Sequence, residues 1–189
     1  PSPARSDAML PLPTIASRIL TTPGFTFPKT LEKLTQLIAD AATDSEIVRA
    51  LVSSDPLLTA TVLSQANQSG EGGTRLSEAL RSVGLGGVIG LTRSFSAIPD
   101  HARVAVGGCW QLGFACGKLT RIISRLVGSR HPTSPLAGFD DETLHAAGLL
   151  HDLGSALAAV RFPAEYARAV ARQEAGEGPF SRLLHSELG

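Results

Sequence analysis

Two adjacent residues, His151 and Asp152, could together bind a metal ion. They lie in the segment LHAAGLLHDLG (residues 144–154), at the predicted end of a helix. An imidazole nitrogen and a carboxylate oxygen suit the divalent ions of metal hydrolases, which acidify a bound water and neutralise phosphate charge. Two ligands do not complete such a site, because a catalytic ion normally takes at least three from the protein. Without an ion, the pair would have a structural role, with the histidine stabilised by the negative end of the helix dipole.

The other histidines add no clear third ligand. His145 precedes His151 by six residues, which is about 240° around a helix, so the two do not share a face. His145 is therefore predicted to be half-exposed. His101 and His131 are predicted to lie in loops, and His185 lies near the end of the sequence, where Glu187 is expected to stabilise the terminal segment.

Three cations could form a binding surface for an anion or an acidic partner. Lys118, Arg121 and Arg125 follow one another at spacings of three and four residues, so they share one face of a predicted helix. Such a row is more often a solvated face. Both interpretations stay open at this point.

Composition favours an all-α domain. Apolar residues make up 43% of the 189-residue chain, charged residues 18% and aromatic residues only 5%, so the core must consist of aliphatic side chains. The 17 basic and 17 acidic residues cancel, so nucleic-acid binding is not expected. No apolar run reaches the ~18 residues of a membrane span. Cys109 and Cys116, about 10 Å apart on one predicted helix, are expected to be free thiols, which suits the cytoplasm.

Helix signals recur along the chain, and no segment alternates as a strand would. Asp55-Pro56 predicts a helix start, with Asp55 as the N-cap. Ser77 is expected to cap a short helix that Gly84 closes, and a weaker helix is predicted for residues 85–98. A long helix is predicted for residues 104–127, and Asp140 or Asp141 is expected to cap a helix that ends at Leu150. The positions of the long helix predicted to be buried are Trp110, Phe114, Leu119, Ile122, Ile123 and Leu126.

Four ordered motifs give the sequence a resemblance to a known family. LPLP (residues 10–13) leads to Ile19-Leu20, and SSDPLLTATVLSQAN (residues 53–67) follows. RLSEALRSVGL (residues 75–85) and LLHDLG (residues 149–154) complete the set. This order resembles the HDOD family, a branch of the HD and HD-GYP superfamily, over residues 10–189.

The resemblance implies a helical bundle in which an N-terminal helical lobe packs on an HD-like lobe. We expect residues 1–9 to be a flexible lead, residues 10–99 to form the N-terminal lobe, and residues 100–189 to form the HD-like lobe. HDOD proteins usually continue with a further helix, so the HD-like lobe is expected to be truncated at its C-terminus.

Departures from the catalytic pattern bear on function. In HDOD-like chains the first histidine ligand falls in a W-x-H-S pattern, and Leu112 stands at that position after Trp110. HD-GYP phosphodiesterases carry lysine after the HD motif, where this chain has Ser155. His151 and Asp152 are then a vestigial motif, with no metal or other cofactor expected. If a metal binds, these two residues are its expected ligands.

The resemblance thus implies a non-enzymatic regulatory module of bacterial signal transduction, located in the cytoplasm. Its expected partner is a protein, with a small molecule or nucleotide as a further ligand class, and neither nucleic acid nor membrane is expected. The alternative is a metal-dependent HD-type phosphohydrolase acting on a cyclic dinucleotide or another phosphoester. Its missing ligands would come from beyond Gly189 or from a dimer mate.

Overall fold

The structure of the chain is a computed structural model that describes residues 24–39, 45–70, 73–130, 133–134 and 138–188. The helices are α1 (Pro28–Ala39), α2 (Ser45–Ser54), α3 (Pro56–Gln68), α4 (Leu76–Arg93), α5 (Arg103–Arg130), α6 (Asp141–Leu150), α7 (Leu153–Arg161), α8 (Pro163–Glu174) and α9 (Phe180–Leu188). This composition confirms the all-α prediction. The expected flexible lead at residues 1–9, the motif residues up to Leu20, and His131 lie outside the described residues.

Local capping signals placed two helix starts correctly. The Asp55 side chain accepts hydrogen bonds from the backbone N–H groups of Leu57 and Leu58, with Pro56 in the first turn of α3. The Asp140 side chain does the same for Glu142 and Thr143 at the start of α6. The long helix α5 also agrees with its predicted bounds to within three residues at each end.

The segment that forms α4 was predicted incorrectly at its start and at its end, but correctly at Gly84. Ser77 does not cap it, because α4 begins at Leu76 with Arg75 as its N-cap residue, and Arg75 makes no side-chain cap bond. Instead, the Ser77 backbone N–H donates to Glu142 of α6 over 2.9 Å. Gly84 has a non-helical backbone with a φ of 67°, which favours glycine, so the first helical segment ends there as predicted. The second segment follows at once but ends at Arg93, short of the predicted residue 98.

A small sheet replaces the predicted helical end near residue 98. Phe25–Thr26 (β1) pairs in parallel with Ser96–Ala97 (β2). Phe25 and Thr26 are buried. A pairing of two residues across seventy positions leaves no alternating pattern, which is why the sequence did not predict it.

The described residues divide into two compact units, residues 24–156 and residues 157–188. The core of the first unit contains fully buried aliphatic side chains from several elements, namely Val52, Leu58, Val62, Ile98, Val106 and Leu149. In the second unit α8 packs on α9 around Ala158, Ala169, Leu183 and Leu184, and the Tyr166 and Phe180 rings meet edge to face at 5.2 Å. The lobe boundary expected near residue 99 stays a prediction.

The predicted burial of α5 is wrong for four of its residues. Trp110 is buried and Phe114 half-buried, as expected. Leu119, Ile122, Ile123 and Leu126 are instead between 51% and 55% exposed. The helix buries its glycine-bearing face and leaves this aliphatic face in solvent.

Within the described residues, no single helix has the length and apolarity needed to cross a membrane. The pair α2 and α3, bent by 111° between them, passes the same test of length and composition.

Candidate functional site

Helix α6 ends directly before His151 and Asp152, here called the HD pair. The start of α6 is stabilised by an N-cap residue that is also bonded to the N-cap residue of α4. Asp140 Oδ1 accepts the N–H groups of Glu142 and Thr143, each over 3.0 Å. Arg75, at the start of α4, donates from Nε to Asp140 Oδ2 over 3.0 Å. Burial opposes ionisation of this carboxyl, but the Thr143 bonds and the Arg75 guanidinium prevail and hold the pKa of Asp140 well below its usual value.

Glycines bring α6 into backbone contact with α5. A Cβ on Gly148 of α6 would lie 2.7 Å from the Cα of Gly117 in α5. A Cβ on Gly113 would lie 2.6 Å from the carbonyl oxygen of Leu149, and one on Gly117 would lie 2.9 Å from that of His145. No larger residue fits at these positions unless the helices separate. The end of α6 is therefore held at a fixed distance from the middle of α5.

The HD pair lies just beyond the last residue of α6, and neighbouring groups already bind both side chains. His151 is exposed, and its Nδ1 donates to the Gly148 carbonyl over 2.8 Å. The half-buried Asp152 accepts a short hydrogen bond from the Ser155 hydroxyl through Oδ1. The two side chains are thus bonded locally, as the structural interpretation of the motif requires.

A narrow apolar recess lies beside Asp152. Its wall consists of Pro56, Cys109, Trp110, Leu149, Leu153 and Ala156, with Asp152 at one side, and the space between them does not admit a water molecule. The Trp110 ring is fixed by an edge-to-face contact with Phe27 at 5.5 Å between centroids. Leu112, at the predicted first-ligand position, is half-exposed and does not line the recess.

The described residues around His151 and Asp152 do not fit a catalytic divalent ion. His145 turns away from His151, because its Nε2 bonds the Ser53 carbonyl of α2 over 3.0 Å. It is half-buried, as predicted. Across the described ranges, no three His, Cys, Asp or Glu side chains converge as a metal site would require.

The predicted cationic row does lie on one side of α5, but much of its charge is already balanced. Arg125 makes a short ion pair with Asp141, and Arg121 reaches the same carboxylate at 3.7 Å. The hydrogen bond from Arg125 is the main cause that lowers the pKa of Asp141, and Arg121 acts in the same direction. The Lys118 ammonium lies 4.3 Å from the centroid of the Phe114 ring. Two arginines share one carboxylate, so a positive excess remains on this side of the helix.

The remaining candidates lie apart from the HD pair. His101 is exposed in a short 3-10 turn, and His185 is exposed on α9. Glu187 accepts hydrogen bonds from Arg168 over 2.6 Å and Arg172 over 2.9 Å, so it ties α9 to α8 as expected for a structural residue. Cys109 and Cys116 are half-buried, and neither forms a disulfide within the described residues.

Sequence reasoning found the cap role of Asp55 but not its burial. Asp55 is 1% exposed, and besides capping α3 it accepts a short hydrogen bond from the buried Thr26 hydroxyl. Burial raises the pKa of this carboxyl, although its hydrogen bonds act in the opposite direction. The Trp110 indole N–H lies near the Asp55 carboxylate and favours its charged form. Its position does not meet the geometry of a hydrogen bond, so the indole N–H has no hydrogen-bond partner among the described residues. Thr26 lies 29 residues away in sequence, so only the tertiary fold discloses this buried polar centre.

Comparison with known proteins agrees with the motifs. The HDOD domain family model matches residues 25–189. No curated protein and no solved structure gives a significant match. HDOD domains are generally a non-catalytic branch of the HD superfamily. The match covers most of the sequence, and the chain belongs to the HDOD family.

Proposed function

We propose that the chain is a non-enzymatic signal-transduction module that recognises a protein partner. The observation that carries the proposal is the environment of Asp152. This carboxylate bonds Ser155 and borders an apolar recess too small for water. Metal-assisted hydrolysis needs room beside the ligands for an ion, an activated water and a phosphate, and this recess has no such room.

Two substitutions against the catalytic pattern support the proposal. Leu112 stands where the family pattern of catalytic relatives has a histidine, and an aliphatic side chain cannot coordinate a metal. Ser155 stands where HD-GYP enzymes carry lysine, and here its hydroxyl bonds Asp152. Leu112 is half-exposed on α5 and Ser155 is bonded to Asp152, so neither position holds the group that the catalytic pattern requires.

The proposed setting is a bacterial signalling pathway in the cytoplasm. A protein is the favoured partner, because the balanced charge of the sequence gives no general attraction for polyanions. A small molecule or nucleotide is the second ligand class that the proposal allows. The proposal includes no cofactor.

Metal analysis combined with an activity assay tests the proposal. The purified protein would be incubated with Mn²⁺ or Fe²⁺, desalted, analysed for bound metal and assayed on cyclic di-GMP and a generic phosphoester. We expect metal well below one equivalent and no turnover above the buffer rate. One equivalent of metal that His151→Ala removes, while the control His185→Ala on the exposed face of α9 keeps it, would establish the HD-type phosphohydrolase instead. Turnover that His151→Ala abolishes and His185→Ala retains would also support the HD-type phosphohydrolase.

A further inference from the structure

One side of α5 carries an apolar stripe, here called the α5 seam, that no described residue buries. It consists of Leu112, Ala115, Leu119, Ile122 and Leu126. All five are exposed, and each of the four large side chains leaves half or slightly more of its surface in solvent. The opposite side of the helix is the one that contacts α6 through its glycines. Helix α5 therefore has two apolar sides, and the fold of the first unit uses one of them.

The spacing of the α5 seam is that of a coiled-coil contact surface. Its members follow at intervals of three, four, three and four residues, which are the a and d positions of two heptads. Leu112, Leu119 and Leu126 fall at a, and Ala115 and Ile122 fall at d. A seam with this period fits another helix laid along it, because each side chain can enter a gap on the facing helix. The pattern therefore specifies a helical occupant.

The charges on α5 indicate which charged residues should border the apolar face of that occupant. The helix contains Arg103, Lys118, Arg121, Arg125 and Arg130 and no acidic residue. Lys118 and Arg125 directly precede Leu119 and Leu126, so they border the seam at g positions. Arg125 shares the Asp141 carboxylate with Arg121, so those three groups leave one positive charge and Lys118 adds another. A second copy of the chain would bring the same cations to the interface, where like charges oppose binding, whereas acidic flanks would be attracted.

We propose that the α5 seam binds an amphipathic helix of another protein whose apolar a and d residues are flanked by glutamate or aspartate. This inference rests on the proposed function, since it names the kind of protein partner. Leu112 belongs to the seam, so the residue that replaces a histidine ligand of the family pattern also extends the docking surface. The change that removes metal chemistry and the one that builds the seam are then the same substitution.

Two synthetic helical peptides test this proposal directly. Both carry leucine at a and alanine at d over three heptads, with glutamate at e and g in one and lysine at e and g in the other. Fluorescence anisotropy is measured at peptide concentrations at which sedimentation shows the peptide to be monomeric. We expect the glutamate peptide to bind at least ~10-fold more tightly than the lysine peptide, and we expect added salt to reduce the difference.

Variants of the full chain locate the binding surface. Leu119→Asp places a carboxylate in the centre of the seam and should weaken binding of the glutamate peptide at least ~30-fold, as at an interface hot spot. Ile47→Asp is the matched control, because Ile47 is 47% exposed on α2 and does not belong to the seam. Lys118→Glu should remove the preference for the glutamate peptide while leaving the apolar seam intact. Circular dichroism confirms that each variant retains its helices.

Three outcomes would overturn the proposal. Equal binding of the two peptides would remove the charge argument, and unchanged binding by Leu119→Asp would place the contact elsewhere. Sedimentation equilibrium of the chain alone could also reveal a dimer that Leu119→Asp dissociates, which would make a second copy the occupant. These readouts are independent of the metal assay. A failed peptide experiment with a metal-free, inactive protein rejects this inference and leaves the proposed function standing.

Discussion

The buried carboxyl of Asp55 gives the sharpest prediction about stability. Its Oδ1 accepts two backbone N–H groups, each over 3.0 Å, and its Oδ2 accepts the Thr26 hydroxyl, all in a region closed to solvent. Asp55→Ala removes these acceptors together. The lost cap costs about 1 kcal/mol, and the buried donors left without a partner add about 1–3 kcal/mol. We expect Asp55→Ala to lower the free energy of unfolding by about 3 kcal/mol.

Asp55→Asn separates the effect of the hydrogen bonds at this site from the effect of ionisation, because asparagine keeps the bonds and cannot ionise. The asparagine oxygen can accept the same N–H groups, and its amide can donate to the Thr26 oxygen, so the cap survives. Because burial raises the native pKa of Asp55, the native state binds a proton over a pH range in which the unfolded chain has released it. The stability from this group is therefore complete below its ordinary pKa and declines as pH rises through the native value. Asp55→Asn should lack this decline and lie within about 1 kcal/mol of wild type at pH 7.

Urea unfolding of the variants from pH 3 to pH 8 measures both effects. The difference in the free energy of unfolding between wild type and Asp55→Asn, taken at each pH, reports the titration of Asp55 separately from that of the other carboxyl groups. Asp100→Asn is the control, because that side chain is 90% exposed and its loss should leave stability unchanged. A variant Asp55→Asn that unfolds as readily as Asp55→Ala would refute the argument, and so would an Asp55→Ala protein as stable as wild type.

Two further predictions concern the helices that hold the HD pair. Gly148→Ala should destabilise the protein by about 3 kcal/mol, because the new Cβ would lie 2.7 Å from backbone atoms of α5. Gly90→Ala in α4 is the control, because its new Cβ would have nothing within 4 Å, and it should stabilise the protein by about 0.5–1 kcal/mol. Thermal melts of both variants measure these changes. Equal changes in stability for Gly148→Ala and Gly90→Ala would contradict the close packing of α5 and α6. Asp140→Ala should cost about 1 kcal/mol at pH 7. That cost should vanish as pH falls, because the pKa of Asp140 is lowered in the native state and its stabilisation is lost on protonation. A cost independent of pH in urea titrations would show that the carboxylate charge has no role.

Helix boundaries were predictable where the signal was local. The dipeptide Asp55-Pro56 and the carboxylate of Asp140 each act within three residues of the helix they start, so the sequence contains the whole interaction. Ser77 has the same residue type as a good cap, but its backbone N–H bonds Glu142, 65 residues later. A contact at that distance in sequence can override a local preference.

The burial of α5 was not predictable from periodicity, because this helix is apolar on two sides. Large aliphatic residues suggested that Leu119 and Ile122 face the core. The structure instead buries the side with Gly113 and Gly117, since two backbones in contact exclude solvent from a surface that has no large side chains. Glycines at a spacing of four residues, facing Gly148 on α6, are the signal that could have indicated this packing.

The candidate site was predicted in its residues but not in its surroundings. The motif gave His151 and Asp152, and their place at the end of α6 followed from the helix signals. The recess beside Asp152 depends on side chains from three separate segments, with Pro56, Cys109 and Ala156 as examples. No local pattern links those positions, so the recess could be seen only in the fold.

Crystals grown with MnCl₂ and measured for anomalous scattering test the central claim most directly. The recess has no room for a water molecule, and its carboxylate is already bonded to Ser155. We therefore predict no anomalous peak beside Asp152, with the Ser155 bond retained. A strong peak within coordination distance of both Asp152 and His151 would contradict the account of a non-enzymatic module.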